Sequence, residues 1–232
     1  MQQLPLGVRL SSHASFATFV DAGNGAAVAA MRALAAGRPG VAWLAGAPSS
    51  GRTHLLLATC AAADPDARIG YLEGPALRTA GADNARAWAG LDVLCIDDVD
   101  ALVGDLALEK ALFSLYRDLD ERGGRLAVAA EAPPGALRWA LPDIASRFAA
   151  ASLFVLRPLD EAQQVEALRR HAQVRGLELP DDVARYLQRR TARDMRALCD
   201  LLDRLDAAAL AAQRRLTVPF VRDVLVDAPT AG

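Results

Sequence analysis

Gly46-Ala47-Pro48-Ser49-Ser50-Gly51-Arg52-Thr53-His54 is the stretch that decides the fold of this chain. Two glycines five residues apart, then a basic residue and a hydroxyl, form the phosphate-loop spacing, with arginine where lysine is usual. The context is the one the motif requires. Val41–Ala45 is a short apolar run that reads as a buried strand, and a helical stretch runs from about Gly51 to Ala63. In such a turn, backbone N–H groups face inward and the helix N-terminus adds partial positive charge, so phosphate oxygens are held. Pro48, Ser49, Ser50, Gly51, Arg52, Thr53 and His54 are therefore the candidate nucleotide-binding residues, with Thr53 offering a hydroxyl to Mg²⁺. Arg52 is planar and bulkier than lysine, which favours holding phosphate over supporting fast hydrolysis. The bland alternative is a Gly/Ser turn that binds nothing.

Working outward, strands and helices alternate. Ala67–Leu72 reads as a strand and 75–88 as a weak helix or loop. Leu91–Ile96 is a strand apolar on both faces, and Leu106–Arg122 is a helix with Leu108, Leu112, Leu115 and Leu119 on one stripe. Leu126–Ala130 and Ser152–Leu156 complete five strands, with a short helix at 142–149 between them. This rhythm predicts an α/β fold: a parallel five-stranded sheet with helices on both faces. Asn24 reads as the N-cap of the first helix, 25–36. Beyond Arg157-Pro158 the strand signal ends, and four helices are readable at about 160–175, 180–190, 194–213 and 218–226. Asp160 with Gln163 forms a capping-box pattern. The expected organisation is a leader at 1–12, an α/β domain at 13–157 and a small all-α lid at 158–232.

The second chemical signal is Ile96-Asp97-Asp98, two carboxylates at the C-terminal tip of a buried strand, where open α/β sheets bind ligands. Asp97 is the candidate for the Mg²⁺ shell and Asp98 for a place beside an attacking water. A solvated acidic turn is the plain alternative for the pair taken alone. Arg147, in Asp143-Ile144-Ala145-Ser146-Arg147-Phe148, and Arg196, at the start of the long lid helix, are the remaining charged candidates. Taken alone, each reads as a surface arginine, Arg196 paired with Asp200.

Composition narrows the class. The chain has 232 residues and a net charge of −2, which argues against an obligate nucleic-acid coat. Abundant alanine and only 5% aromatic residues mean that packing leans on Leu, Val and Ala. A single lysine, Lys110, reads as codon bias. No apolar run reaches the roughly 18–20 residues of a membrane span, and no signal peptide is evident. The three cysteines are far apart in sequence and suit no disulfide framework. A cytoplasmic location is expected.

Several stretches together resemble one family. They are Phe16-Ala17-Thr18-Phe19, Gly51-Arg52-Thr53-His54-Leu55-Leu56, Ile96-Asp97-Asp98, Leu141–Arg147, Gly176-Leu177-Glu178-Leu179-Pro180 and Gln213–Val221. The ordered set is similar to the AAA+ nucleotide-binding module of the DnaA family of replication initiators, and within it to the shorter Hda branch. Arginine in the phosphate loop is then a branch trait. The resemblance implies that the protein binds ADP (or ATP) with Mg²⁺, engages the DNA-loaded sliding clamp, and stimulates hydrolysis of ATP held by DnaA. On that footing Arg147 matches an arginine finger acting in trans, and Arg196 a sensor-2 arginine facing the chain's own nucleotide. Gln2, Leu4, Pro5 and Leu6 match a shortened form of the clamp-binding peptide. The chain stops soon after the lid, so no helix-turn-helix and no sequence-specific DNA binding of its own are expected, and self-association is left open. One departure concerns the fourth strand's tip, where Glu131 is the sole polar residue before Pro133-Pro134. An autonomous AAA+ ATPase of the helicase-loader type, and a nucleotide-dead clamp adaptor, are the competing readings.

Overall fold

The computed structural model describes residues 14–190 and 195–226. Strands β1 (Gly40–Ala45), β2 (Ile69–Glu73), β3 (Val93–Asp97), β4 (Arg125–Ala130) and β5 (Ser152–Val155) form one sheet in the order β2-β3-β4-β1-β5. Every pairing is parallel. Helix α1 (Gly25–Ala35) precedes the first strand, and α2 (Arg52–Ala62), α3 (Gly74–Ala80), α4 (Leu106–Glu121) and α5 (Pro142–Ala149) connect the strands. The alternating sequence thus gives the parallel sheet it predicts. All five residues of β3 are buried, Val93–Ile96 as an apolar run and Asp97 as its polar tip.

On one sheet face, Trp43 of β1 is fully buried against Phe148 of α5 at 5.1 Å between ring centres. Trp139 stands 6.2 Å from Trp43 and 5.4 Å from Phe148. The Trp43 indole N–H donates to the Ala132 carbonyl at 3.0 Å, and that of Trp139 to the Pro134 carbonyl at 2.9 Å. So three of the twelve aromatic residues gather where they fix α5 and the loop before it. On α2, Cys60 meets Cys95 of β3, although 35 residues of sequence separate them. Their hydrogen bond and the burial of Cys95 push the Cys95 thiol well up, so Cys95 is a packing thiol rather than a nucleophile.

Two local expectations change. Asn24 precedes α1, but its side chain makes no capping bond. Its Oδ1 accepts from the Arg157 N–H at 2.9 Å and its amide donates to the Arg157 carbonyl at 3.0 Å. The chain leaving β5 has orphan backbone groups, and satisfying both wins over one cap bond. The stretch 75–88 is ordered as α3 and a 3-10 segment, Ala82–Trp88, separated by Gly81 at φ +86.

Contacts divide the chain into two units, Ala17–Val20 with Leu159 onward forming the second. In that unit, helices α6 (Glu161–Val174), α7 (Asp181–Arg190), α8 (Met195–Ala212) and α9 (Val218–Val226) bury Leu168, Val183, Leu187, Leu198, Leu205 and Val221. The Asp160/Gln163 capping box forms at the start of α6. Arg170 of α6 donates to the Phe19 carbonyl at 2.9 Å, which ties the short excursion to the helices. Among the described residues no helix is long and apolar enough to cross a membrane.

Candidate nucleotide site

The loop between β1 and α2 turns on two residues with positive φ, Ser49 at +62 and Gly51 at +96. Gly46 opens it, and a Cβ there would meet Ser50 Oγ at 2.5 Å, so only glycine lets the loop fold back this tightly. Pro48 and Ser49 form the exposed crest, while Ser50 and Arg52 are buried beneath it. The first amides of α2 have no partner within the helix, which makes them acceptor-seeking. Ser50 Oγ and Arg52 Nη1 are also buried and lack a hydrogen-bond partner among the described residues. Buried polar atoms are satisfied almost without exception. A row of orphan donors around one glycine turn fits an anion such as a nucleotide's phosphates.

The tip of β3 closes the other side. Thr53 Oγ1 donates to Asp97 Oδ2 at 2.6 Å, and the Tyr71 hydroxyl of β2 donates to the same oxygen at 2.8 Å. The Asp98 N–H donates to Asp97 Oδ1 at 3.1 Å. Asp97 is 2% exposed, so these donors hold a buried carboxylate in place. Gly74 makes this packing feasible, because a Cβ there would lie 2.2 Å from the Asp98 carbonyl oxygen. Thr53 Oγ1 and Asp97 Oδ2 thus stand side by side as hard oxygen atoms, the donor type that Mg²⁺ takes. Among the described residues no group of three acidic, histidine or cysteine side chains forms a stand-alone metal site.

Asp98 adopts the left-handed conformation, φ 47 and ψ 51. Its Oδ1 accepts from Arg52 Nη2 at 3.2 Å. The carboxylate expected beside a water is thus also bonded, through one oxygen, to the loop arginine. The histidine of the loop behaves differently again. His54 Nε2 lies 2.8 Å from the Ser15 carbonyl, and burial lowers the ring's pKa below 6.5 despite that bond. A carbonyl only accepts, so the neutral ring carries its proton on Nε2. His54 anchors the segment before α1 to α2.

Arg147 is exposed on α5, at the flank of the face that buries Ile144 and Phe148. Its guanidinium sits over the Tyr116 ring at 5.9 Å and also interacts with the Tyr116 hydroxyl. Two features that the sequence does not reveal set where α5 begins. The aromatic cluster is one. The other is Glu109 of α4, fully buried, whose carboxylate accepts the N–H groups of Gly104 at 2.6 Å, Ala140 at 3.1 Å and Leu141 at 2.6 Å. Nearby, the Asp100 carboxylate accepts the Glu131 N–H at 3.0 and 3.2 Å, which ties the tips of β3 and β4 together. The side chain of Arg196, at the start of α8, and the residues Gln2, Leu4, Pro5 and Leu6 lie outside the described residues.

A parallel sheet in this order, a glycine turn into α2, a threonine–aspartate pair across it and a following helical unit together define a AAA+ nucleotide-binding module. The profile of the bacterial DnaA ATPase domain matches residues 10–154, and that of the Hda lid domain matches residues 160–225. The chain belongs to the DnaA family of AAA+ proteins and carries a lid of the Hda type. Among solved structures it is similar to domain III of the replication initiation protein DnaA of Thermotoga maritima. That match has 22% identity and a TM-score of 0.77, over 93% of this chain and 97% of the other. AMPPCP-bound DnaA from Aquifex aeolicus matches at 19% identity and a TM-score of 0.67, over 84% of this chain and 66% of that one. The Thermotoga maritima RuvB branch migration motor matches at 21% identity and a TM-score of 0.60, over 87% and 68%. At these identities the likeness speaks for the fold.

Proposed function

We propose that this protein binds ADP in the Gly46–Thr53 loop and activates hydrolysis of ATP held by DnaA, restraining re-initiation of replication. Arg147 is the group supplied in trans. A guanidinium brought to a neighbour's triphosphate stabilises the charge that develops as the terminal phosphoryl group transfers, the role of an arginine finger. The observation that carries this reading is the setting of Arg147: the residue is exposed, with its guanidinium resting on Tyr116, while the helix bearing it is pinned by Trp43, Trp139, Phe148 and Glu109. A rigid base under an exposed arginine suits insertion into another molecule's site with little ordering cost.

The loop's own residues divide the work. The α2 amides, Ser50 and Arg52 would hold phosphate oxygens, and Thr53 with Asp97 would hold Mg²⁺. Once bound, the nucleotide supplies the anion that those buried donors lack. Weak turnover by the chain itself accords with the engagement of Asp98 by Arg52. Gln2, Leu4, Pro5 and Leu6 would dock on the DNA-loaded sliding clamp as an extended peptide. Arg147→Ala tests the assignment. The variant should fold and bind ADP as the parent does, yet lose at least about 100-fold in stimulation of DnaA, the scale of losing a transition-state donor. Stimulation at the parent rate would remove Arg147 from the role.

A further inference from the structure

Arg52 offers its two arms in two directions, and the protein supplies an acceptor for one of them. The residue is 8% exposed; Nη2 is bonded to Asp98 Oδ1 at 3.2 Å, whereas Nη1 is buried with no partner among the described residues. A planar fork serves two acceptors at once, which a compact ammonium does less well. Asp98 is fixed in this role by its left-handed backbone, by the bond from its N–H to Asp97, and by the approach of Gly74 to its carbonyl. Its side chain is half exposed, so it is held at the mouth of the site and not beneath it.

We propose that Asp98 is the positioning residue that makes the loop favour a nucleoside diphosphate over a triphosphate, by taking half of Arg52 as its counter-ion. This rests on the nucleotide-binding reading above. The charge arithmetic is direct. The loop's buried side-chain cation is Arg52, and the Asp98 carboxylate is paired with one of its arms at 3.2 Å. The orphan Nη1 remains as a donor for one phosphoryl oxygen, which a diphosphate provides. A third phosphate brings additional negative charge to a guanidinium whose charge is already matched, and brings it toward the carboxylate that matches it. In a partly desolvated site, such like-charge proximity is weakly screened. A second acid that serves only as a base for water would instead leave nucleotide affinity alone when neutralised.

The test is calorimetric titration of the full chain, with Mg²⁺ present, using ADP and β,γ-methylene ATP as the two probes. Asp98→Asn keeps the shape and removes the charge, and Asp98→Ala is the second variant. Both should tighten the triphosphate analogue about tenfold, equivalent to about 1.4 kcal/mol, while ADP tightens by less than about threefold. Circular dichroism of each variant confirms that the fold is retained. Equal tightening for the two nucleotides, no change in either, or weaker binding of the triphosphate overturns the assignment of Asp98 and leaves nucleotide binding standing. A parent protein that takes up neither probe overturns this inference together with the reading beneath it.

Discussion

Replacing Glu109 by alanine should cost more than any surface change in this molecule, and the reason is countable. The carboxylate is fully buried and accepts three backbone N–H groups, at 2.6, 3.1 and 2.6 Å. Among the described residues no cation pairs with it, so these bonds are what make its burial tolerable. Each hydrogen bond to a charged group contributes about 1.5–3 kcal/mol. Gly104 and Ala140 are exposed enough for water to replace part of their share, whereas Leu141 is more enclosed. The expected loss is then about 3–5 kcal/mol, which for a chain of this size lowers the melting temperature by about 6–20 °C. Glutamine should cost about 2 kcal/mol: its one carbonyl oxygen still serves two N–H groups, but its amide faces a third donor. Differential scanning calorimetry of the full chain measures the two shifts. A drop under about 2 °C for alanine would refute the idea that this buried carboxylate organises the start of α5. Because the same contact sets where Arg147 stands, Glu109→Gln should also reduce stimulation of DnaA at temperatures where it remains folded.

Other outcomes follow from the site. Thr53→Val removes the donor to Asp97 and the proposed Mg²⁺ ligand, and should weaken Mg²⁺-dependent ADP binding about tenfold while leaving metal-free binding little changed; isothermal titration with and without EDTA separates the two. ADP at 100-fold excess over its Kd should stabilise the fold by about 2.7 kcal/mol in a thermal-shift series, and a flat series would count against binding. His54 titrates lower in the folded protein than its ordinary 6.5, through burial of the neutral ring. The unfolded chain therefore binds that proton first, and stability falls as pH drops below about 6.5 toward the depressed folded value. His54→Gln should flatten that part of the pH–stability curve, and an unchanged slope would contradict it. Deleting residues 1–6 should weaken capture of the chain on immobilised clamp with no change in melting temperature.

The sheet, its helices and the lid are legible in the sequence because each level of it agrees: apolar runs of strand length, glycine and proline breaks, leucines at helical spacing. The phosphate loop and Asp97 are legible for the same reason, since motif and strand context coincide. What pairs across sequence is not. Tyr71 reads as one more large residue of a strand, and nothing beside it announces a hydroxyl aimed at Asp97, 26 residues on. Glu109 reads as an ordinary acid beside the leucine stripe of α4, and its partners come from Gly104 and from residues about 31 positions away. Asn24 reads as a cap and serves as a clamp for Arg157, because the exit of β5 offers it two backbone groups. Arg52 and Asp98 are each visible, but their bond depends on the turn and on the left-handed backbone at Asp98. Arg147 stands out only through family resemblance, since a lone arginine on a short helix has no pattern of its own.

The most direct test of the account is a single-turnover measurement of ATP preloaded on DnaA, with clamp assembled on DNA, in the presence and absence of this protein. Conversion to ADP should be faster when the protein and ADP are added together, with negligible hydrolysis by the protein alone. An unchanged DnaA rate, alongside sustained ATP turnover by the isolated chain, would contradict it and mark the molecule as an ATPase in its own right.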